Sequence, residues 1–326
     1  MKRLFTSERA KRVGAALLFL TVFVVLVAAL SYVFHPKDNS PERGMMEAKA
    51  HAFMGEPENS LDVLFIGDSR VYTSFSPMQM WQEYGFTSHA IGTDSQQMPY
   101  TNTLLKRAFA KQKPKVVVFE TDFLFMRFRL EDAGFRLLSD YVPFFEYHSR
   151  WKNLSLADFV EPIRYSWTDP CKGFKVDATI NTEPDEEVRK VAKHKMHGLA
   201  RYGDVYMERF VKMCHENGAI PVFVSAPSTN ATGGEHHEIP ESLAKELGMD
   251  YLDLNEKLDE VGIDWSHDTV DGGEHLNLYG AEKVSHYVGA YLQESYGLPD
   301  HRKDKAYESW NEAYDTYESM LLAQQQ

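Results

Sequence analysis

The stretch Leu61–Arg70, LDVLFIGDSR, decides the fold class of this chain. It is a short apolar run that stops at Gly-Asp-Ser, which is typical of a buried strand followed by a tight turn. The carboxyl end of such a strand is where α/β folds place their functional side chains. The hydroxyl of Ser69 is therefore a candidate nucleophile, provided that a base lies close to it.

Similar apolar runs recur along the chain and alternate with helix-like segments. Further strands are predicted at residues 89–91, 116–119, 220–224 and 251–254, and helices at 77–84, 100–111 and 281–294. This alternation indicates parallel strands covered by helices on both faces. We therefore expect one large α/β domain.

A second polar segment, Asp271–Asn277 (DGGEHLN), lies near the end of this alternating pattern. His275 is a candidate base for Ser69, and Asp271 can fold back to orient it because two glycines separate them. The alternatives for the orienting carboxylate are Asp268 and Glu274. A serine or a histidine alone would be ordinary in a loop, but their order in an α/β pattern favours a catalytic pair.

These segments resemble the SGNH/GDSL hydrolase superfamily. The matching blocks are Gly67–Arg70, Ala90–Gly92, and Asp271–Asn277 followed by Gly280–Ala281, within about residues 61–295. The resemblance implies a flavodoxin-like three-layer sandwich with a parallel sheet. It also implies an acyl intermediate on Ser69 and an oxyanion hole formed by the backbone N–H groups of Ser69 and Gly92.

The chain departs from the superfamily's pattern at two places. Where the superfamily has Gly-x-Asn-Asp after the third strand, this chain has Glu120–Phe123 (ETDF), so the amide donor of the oxyanion hole is missing. Loss of one such donor typically costs about 100-fold to 1000-fold in rate, and a carboxylate at Asp122 would oppose an oxyanion. The superfamily's Asp-x-x-His spacing also fails, because Gly272 stands at the aspartate position.

Residues 13–34 form an uncharged apolar run. As a helix this run is about 33 Å long, enough to span a hydrocarbon core of roughly 30 Å. Residues 1–12 are strongly basic, so we expect a cytoplasmic N-terminus and a single-pass protein of the cell membrane whose bulk is extracytoplasmic. A cleaved signal peptide is less well supported, because bulky side chains follow the weak Ala28–Ala29 cleavage site.

The formal net charge is −13, although residues 1–12 are basic. The acidic remainder repels nucleic acid, so we expect no nucleic-acid partner. Cys171 and Cys214 would face an oxidising compartment, and the sequence leaves a disulfide and two free thiols equally open. Histidines 236, 237 and 267 lack metal-ligand spacing, and we expect neither a metal nor a cofactor.

We divide the chain into five parts: residues 1–12 (cytoplasmic), 13–34 (transmembrane helix), 35–60 (linker), 61–298 (catalytic domain) and 299–326 (C-terminal amphipathic helix). Residues 126–181 interrupt the α/β pattern with an aromatic-rich insertion, which we expect to lie over the carboxyl edge of the sheet. The substrate-binding candidates are Arg70, Asp122, His148, Arg150 and Trp151. For the last three, a buried structural anchor is the alternative role.

The anchor and the His block further resemble membrane-anchored members of the superfamily that modify cell-surface polymers. These include proteins of polysaccharide O-acylation and of teichoic-acid D-alanine transfer. The resemblance implies a serine esterase or O-acyltransferase acting on acyl esters, such as O-acetyl groups, of envelope polysaccharide. It also implies a multispanning membrane O-acyltransferase as partner. The alternative is a catalytically silent domain that binds polysaccharide or assembles with that partner.

Overall fold

A five-stranded parallel sheet forms the centre of the computed structural model, which describes residues 2–184, 199–231 and 234–324, with side chains from residue 8 onward. The strands are β1 (Val63–Gly67), β2 (Ser88–Gly92), β3 (Val116–Glu120), β4 (Ile220–Ser225) and β5 (Asp250–Asp253). Their spatial order is β2-β1-β3-β4-β5, and every pair is parallel. This is the flavodoxin-like order, so the predicted fold class is confirmed.

Helices flank the sheet and connect its strands. In chain order they are α1 (Lys2–Phe34), α2 (Ala48–His51), α3 (Ser69–Ser74), α4 (Pro77–Tyr84), α5 (Met98–Lys111), α6 (Leu130–Tyr141), α7 (Pro143–Tyr147), α8 (Ala157–Val160), α9 (Gly203–Glu216), α10 (Gly234–Leu247), α11 (Leu258–Val261), α12 (Leu278–Tyr296) and α13 (Glu308–Gln324).

The alternation of side chains along each strand builds a core on both faces of the sheet. Leu64 and Ile66 of β1 point into one core with the buried faces of α5 and α9, while Val63 and Phe65 point into the other with α12. All of these strand residues are fully buried. The result is a helix–sheet–helix sandwich whose strands end together at one edge.

The chain reverses its direction of winding at β1, since β2 lies on one side of β1 and β3 on the other. Crevices form at the carboxyl ends of the strands where such a reversal occurs, and α/β proteins bind their ligands there. Ser69 follows β1, Gly92 ends β2, and Asp122 follows β3. The fold thus places three residues of the sequence-predicted site at this crevice.

Helix α1 is longer than the predicted span of residues 13–34. Within the described residues it contains the one segment, Glu8–Phe34, that is long and apolar enough to cross a membrane. Its side chains up to residue 26 lie outside the domain, and only its last two turns are partly covered.

Residues 35–60 do not behave as the linker that the sequence suggested. Lys37, Asn39, His51 and Phe53 are each at most 2% exposed. The Asn39 amide donates to the backbone oxygens of His51 and Trp167 at 3.2 and 2.8 Å, which ties this segment to the insertion. Polar residues and prolines suggested a linker, but here the polar groups are satisfied inside the protein.

The insertion, residues 126–181, divides into two parts. Helices α7 and α8 pack against α1, and α6 packs against α5 and α7. The later part returns to the carboxyl edge of the sheet, where the Lys175 N–H donates to the Tyr72 carbonyl at 2.9 Å and the Leu278 N–H donates to the Asp177 carbonyl at 2.7 Å. This later part therefore lies at the carboxyl edge of the sheet, as expected for the insertion.

The C-terminal helix α13 packs on its own domain. Trp310 and Tyr317 are at most 2% exposed, and the Trp310 ring lies 5.3 Å from that of Trp81. Cys171 and Cys214 are both buried free thiols, which excludes the disulfide left open by the sequence. Burial raises the pKa of each thiol to about 12, so neither is a reactive thiolate near neutral pH.

Candidate active site

Ser69 is the first residue of α3, directly after the turn that leaves β1. The Asp68 carboxylate caps this helix by accepting the Arg70 N–H at 3.1 Å, so the aspartate of the Gly-Asp-Ser motif has a local structural role. Gly67 leaves little space: a side chain there would lie 3.0 Å from Glu120 Cβ. The half-buried Ser69 hydroxyl is thus held at the sheet's carboxyl edge by a tightly packed turn.

His275 lies in the loop before α12 and contacts the Ser69 hydroxyl. Its Nε2 lies 2.7 Å from Ser69 Oγ, and its Nδ1 lies 2.6 Å from Asp271 Oδ2. The second Asp271 oxygen accepts the His275 backbone N–H at 2.8 Å, which fixes the carboxylate against the loop. The distances form a continuous serine–histidine–aspartate relay within hydrogen-bond reach.

The two intervening glycines make this four-residue spacing possible. Gly272 and Gly273 have φ values of +78° and +101°, in the region that side chains disfavour. Their turn brings Asp271 back beneath the imidazole. After His275, the Asn277 side chain caps α12 by accepting the Gly280 N–H at 3.1 Å, which explains the His-Leu-Asn-x-x-Gly pattern.

The two alternative carboxylates are engaged elsewhere. Asp268 lies 2.5 Å from Lys283 Nζ and also accepts the Asp264 N–H at 2.8 Å. Glu274 points away from the imidazole and pairs with Arg70 at 3.0 Å. Asp271 is therefore the carboxylate that contacts His275 Nδ1.

Gly92 lies beside the nucleophile turn, paired in register with Gly67. A Cβ at Gly92 would lie 2.6 Å from the Asp68 carbonyl oxygen, so no larger residue fits without moving that turn. This closeness agrees with the oxyanion role predicted for the Gly92 and Ser69 N–H groups, which stays a prediction.

Arg70 organises a buried polar cluster behind the nucleophile. Its guanidinium lies 3.3 Å from Asp122 and 3.0 Å from Glu274, and it donates to Ser228 Oγ at 3.0 Å. Arg70 and Asp122 are at most 3% exposed, so neither is accessible to a ligand. This burial is contrary to the substrate-binding role that the sequence predicted for them. The sequence predicted that the negative charge of Asp122 would oppose an oxyanion, but in the structure the positive charge of Arg70 balances it.

Glu120 completes this cluster at the end of β3. It accepts the N–H groups of Asp122 at 2.9 Å and Ala226 at 3.3 Å. Burial raises the pKa of Glu120 to about 7, against the opposing effect of the Arg70 charge. A partly protonated Glu120 reduces the negative charge that one arginine must balance near neutral pH.

Replacing Arg70 by methionine is expected to destabilise the fold by about 3–5 kcal/mol, because it leaves the buried Asp122 and Glu274 carboxylates without their cation. Arg302→Met is the matched control: Arg302 pairs with Asp300 at 2.7 Å, but both side chains are at least 40% exposed. The control should change stability by less than about 1 kcal/mol. Urea unfolding of the full chain in detergent measures both, and equal losses would contradict the structural role of Arg70.

A cleft of about 310 Å³ opens beside the relay. His275 and Asp271 form one wall, and Tyr72, Lys175 and Asp177 form the other. A second cavity of about 570 Å³ lies next to it, since the Tyr72 hydroxyl donates to Asp94, which lines the second cavity. Together they offer space for an acyl ester and for part of a larger molecule.

The three candidates from the insertion do not line the cleft at His275. His148 lines the second cavity, and Trp151 is 63% exposed. Arg150 is buried and holds Asp158 and the Phe34 carbonyl oxygen at 2.8 and 2.6 Å. Arg150 thus has the alternative role considered above, a buried anchor, because it joins the insertion to α1.

The sequence reasoning missed Ser228 and Asn230, both of which contact Glu274. Ser228 follows β4, so the rule that identified Ser69 could also have identified it: a polar residue just beyond a strand's carboxyl end. Within residues 2–184, 199–231 and 234–324, no group of three or more histidine, cysteine or acidic side chains is placed to hold a metal ion.

No family model matches the chain, and a search of curated proteins finds no relative. Solved structures with a similar course of the backbone include a protein of Desulfitobacterium hafniense DCB-2 assigned to the G-D-S-L lipolytic family. It is 16% identical, with a TM-score of 0.35, over 72% of this chain and 100% of that one.

Two further solved structures are similar at a comparable level. One, from Bacteroides fragilis NCTC 9343, is assigned as an acylhydrolase; it is 10% identical, with a TM-score of 0.38, over 76% of this chain and 94% of that one. The other is a gut microbial diltiazem-metabolizing enzyme, 11% identical with a TM-score of 0.29, over 74% of this chain. The chain spans about half of that enzyme, 48% of its length.

Proposed function

We propose that the chain is a membrane-anchored, extracytoplasmic serine esterase or O-acyltransferase. The observation that carries the proposal is the continuous relay from Ser69 Oγ through His275 to Asp271, with distances of 2.7 and 2.6 Å. A serine hydroxyl becomes an effective nucleophile when a histidine accepts its proton and a carboxylate orients that histidine.

The relay supports a two-step reaction. Ser69 Oγ attacks the acyl carbonyl while His275 Nε2 takes its proton, and Asp271 stabilises the resulting imidazolium. Collapse of the tetrahedral intermediate breaks the ester bond, and His275 returns the proton to the leaving alcohol. Water or a sugar hydroxyl then gives its proton to His275 and attacks the acyl-Ser69 ester, which releases the acid or the new ester and restores Ser69.

The proposed substrate is an acyl ester, such as an O-acetyl group, of a cell-envelope polysaccharide. The second cavity suits a hydroxyl-rich chain because it combines the ring of Tyr100 with polar groups such as Asp94 and Gln97. The acidic composition favours an uncharged or zwitterionic glycan over a polyanion. A multispanning membrane O-acyltransferase is the proposed source or recipient of the acyl group.

Helix α1 supports the proposed extracytoplasmic location. Its apolar part, Glu8–Phe34, is preceded by basic residues, which favours retention of the N-terminus in the cytoplasm. A single pass then carries the catalytic domain across the membrane.

The second candidate function is a catalytically silent domain that binds polysaccharide or assembles with a membrane acyltransferase. The observation in its favour is that Asp122 stands where an amide donor would complete the oxyanion hole and is held by Arg70 instead. Such a domain would keep the fold and the cavities but would not form an acyl-serine.

Covalent labelling distinguishes the two functions. A fluorophosphonate should modify Ser69 in the full chain, because the relay deprotonates this hydroxyl and no other serine in the described residues contacts a histidine–aspartate pair. Peptide mapping by mass spectrometry locates the modification, and prior incubation with p-nitrophenyl acetate should slow it. A folded chain that stays unmodified at Ser69 would favour the silent domain.

A further inference from the structure

Large apolar side chains are exposed on the insertion, in the elements α6 and α8 and between them. We call this group the collar; its members are Leu137, Leu138, Tyr141, Trp151, Leu156, Phe159 and Val160. Their exposed fractions range from 43% for Leu138 to 87% for Leu156. Single exposed apolar residues are ordinary, but a group of this size concentrated in one short segment marks an interaction surface.

Part of the collar borders the end of α1, because α8 and the turn at His148–Asn153, which carry Phe159, Val160 and Trp151, pack against α1. On one side, the ring of Phe34 packs edge-on against Phe144 at 5.1 Å, and the Phe144 N–H donates to Ser31 Oγ at 3.4 Å. On the other side, the Tyr32 hydroxyl donates to the Glu161 carbonyl at 2.7 Å. Phe144 follows Tyr141 by three residues, and Glu161 follows Val160 directly, so Tyr141 and Val160 each lie near a residue that contacts the last turns of α1.

The chemistry of the collar is that of a membrane–water interface. Tryptophan and tyrosine concentrate there because their rings are apolar and their polar groups reach water. Lys152 is exposed, and its Nζ lies 5.5 Å from the Trp151 ring centroid, where the ammonium group can meet lipid headgroups.

The connection between α1 and the domain is rigid. Arg150 is buried and holds the Phe34 carbonyl oxygen, and the Arg164 N–H donates to the Lys37 carbonyl at 2.8 Å. Residues 35–60 are packed against the domain, so they do not form a flexible tether between α1 and the sheet. If α1 crosses a bilayer, its last turn therefore fixes the collar at the height of the lipid headgroups.

We propose that the collar is embedded in the interfacial region of the bilayer that α1 crosses, so that lipid covers these side chains. The domain is then held in one orientation on the membrane, with its catalytic crevice at a fixed height, instead of moving freely on a tether. This inference rests on the membrane placement of α1 but not on the esterase activity.

Fluorescence quenching in phosphatidylcholine nanodiscs tests the collar in the full-length chain. A polarity-sensitive fluorophore is attached to single cysteines introduced by Leu156→Cys or Val160→Cys; Cys171 and Cys214 are buried and should not react. Val22→Cys on α1 is the control for lipid contact. Glu256→Cys is the control for water, since its 63% exposed side chain follows β5 at the sheet edge opposite β2.

We expect labels at residues 156 and 160 to be quenched by nitroxide-bearing phosphatidylcholine, as at residue 22, and to be several-fold less sensitive to iodide than at residue 256. Iodide quenching at 156 and 160 equal to that at 256, with residue 22 in lipid, would overturn the collar while leaving the anchor intact. Protection from both quenchers would also overturn it and would indicate a protein cover. Iodide access at residue 22 would refute the membrane placement and the collar together.

Ester hydrolysis by the same labelled samples reports separately on Ser69. If the labelled chain hydrolyses p-nitrophenyl acetate but fails the quenching test, only the collar proposal is refuted. If it passes the quenching test but does not hydrolyse the ester, only the proposed esterase activity is refuted.

Discussion

Replacing Ser69 by alanine is expected to lower kcat/KM for p-nitrophenyl acetate by roughly 10⁴-fold to 10⁶-fold. The change removes the atom that lies 2.7 Å from His275 Nε2, and with it the acyl intermediate. Residual hydrolysis would come from general-base attack by water at His275 and from the remaining oxyanion contacts. Steady-state rates of the full chain in detergent measure the loss.

Ser88→Ala is the matched control for this experiment. Ser88 begins β2 at the end of the sheet opposite the crevice, is fully buried, and makes no hydrogen bond through Oγ within the described residues. It should leave kcat/KM unchanged. Ser69→Ala also leaves the turn intact, because Asp68 caps α3 through the Arg70 N–H. Activity retained by Ser69→Ala at the control's level would refute Ser69 as nucleophile.

The sequence was sufficient to predict the sheet because its strands are local features. The strands are short segments, most of them apolar runs, and every one of them lies within a residue or two of its predicted place. The rule that parallel strands share one carboxyl edge places Ser69, which directly follows β1. It does not place His275, which is separated from β5 by α11; the pairing of His275 with Ser69 was predicted from the order of the two segments and from the resemblance to the superfamily.

Long-range polar pairings were outside what the sequence alone could reveal. Asn39 pairs with Trp167, and Lys172 forms a buried ion pair with Glu56 at 2.7 Å. These contacts join segments more than a hundred residues apart and convert an apparent linker into part of the core. Hydrophobic periodicity carries no signal for them, since each partner is polar and each segment lacks a regular repeat.

At the site too, the sequence did not reveal a long-range polar pairing. The example is Glu120–Phe123, where the chain departs from the superfamily's Gly-x-Asn-Asp block. In the sequence, Asp122 is an isolated carboxylate at the position of an oxyanion donor. In the structure it is one member of a charge cluster that also includes Arg70 and Glu274. Its electrostatic effect depends on those partners, which lie about fifty and a hundred and fifty residues away. At the position of the predicted oxyanion hole, the missing amide therefore leaves a carboxylate whose charge is compensated by Arg70.

The Asp271→Asn variant should lose about 10²-fold to 10⁴-fold in kcat while keeping its stability nearly unchanged. The asparagine oxygen can still accept the His275 backbone N–H, now 2.8 Å from Asp271 Oδ1. It cannot stabilise an imidazolium, and its amide can turn its donor towards Nδ1 and hold the wrong tautomer. Pre-steady-state rates with p-nitrophenyl acetate measure acylation directly, and urea unfolding measures stability.

Asp268→Asn is the informative comparison, because Asp268 is the other aspartate that the sequence left open. It is fully buried and pairs with Lys283 at 2.5 Å, but it does not contact His275 in the structure. Its replacement should cost about 1–2 kcal/mol of stability through the weakened pair and leave kcat within about threefold. The two variants thus distinguish a residue that orients His275 from a residue that stabilises the loop carrying His275. A larger fall in kcat for Asp268→Asn than for Asp271→Asn would show that the carboxylate nearest the imidazole does not orient it during the reaction.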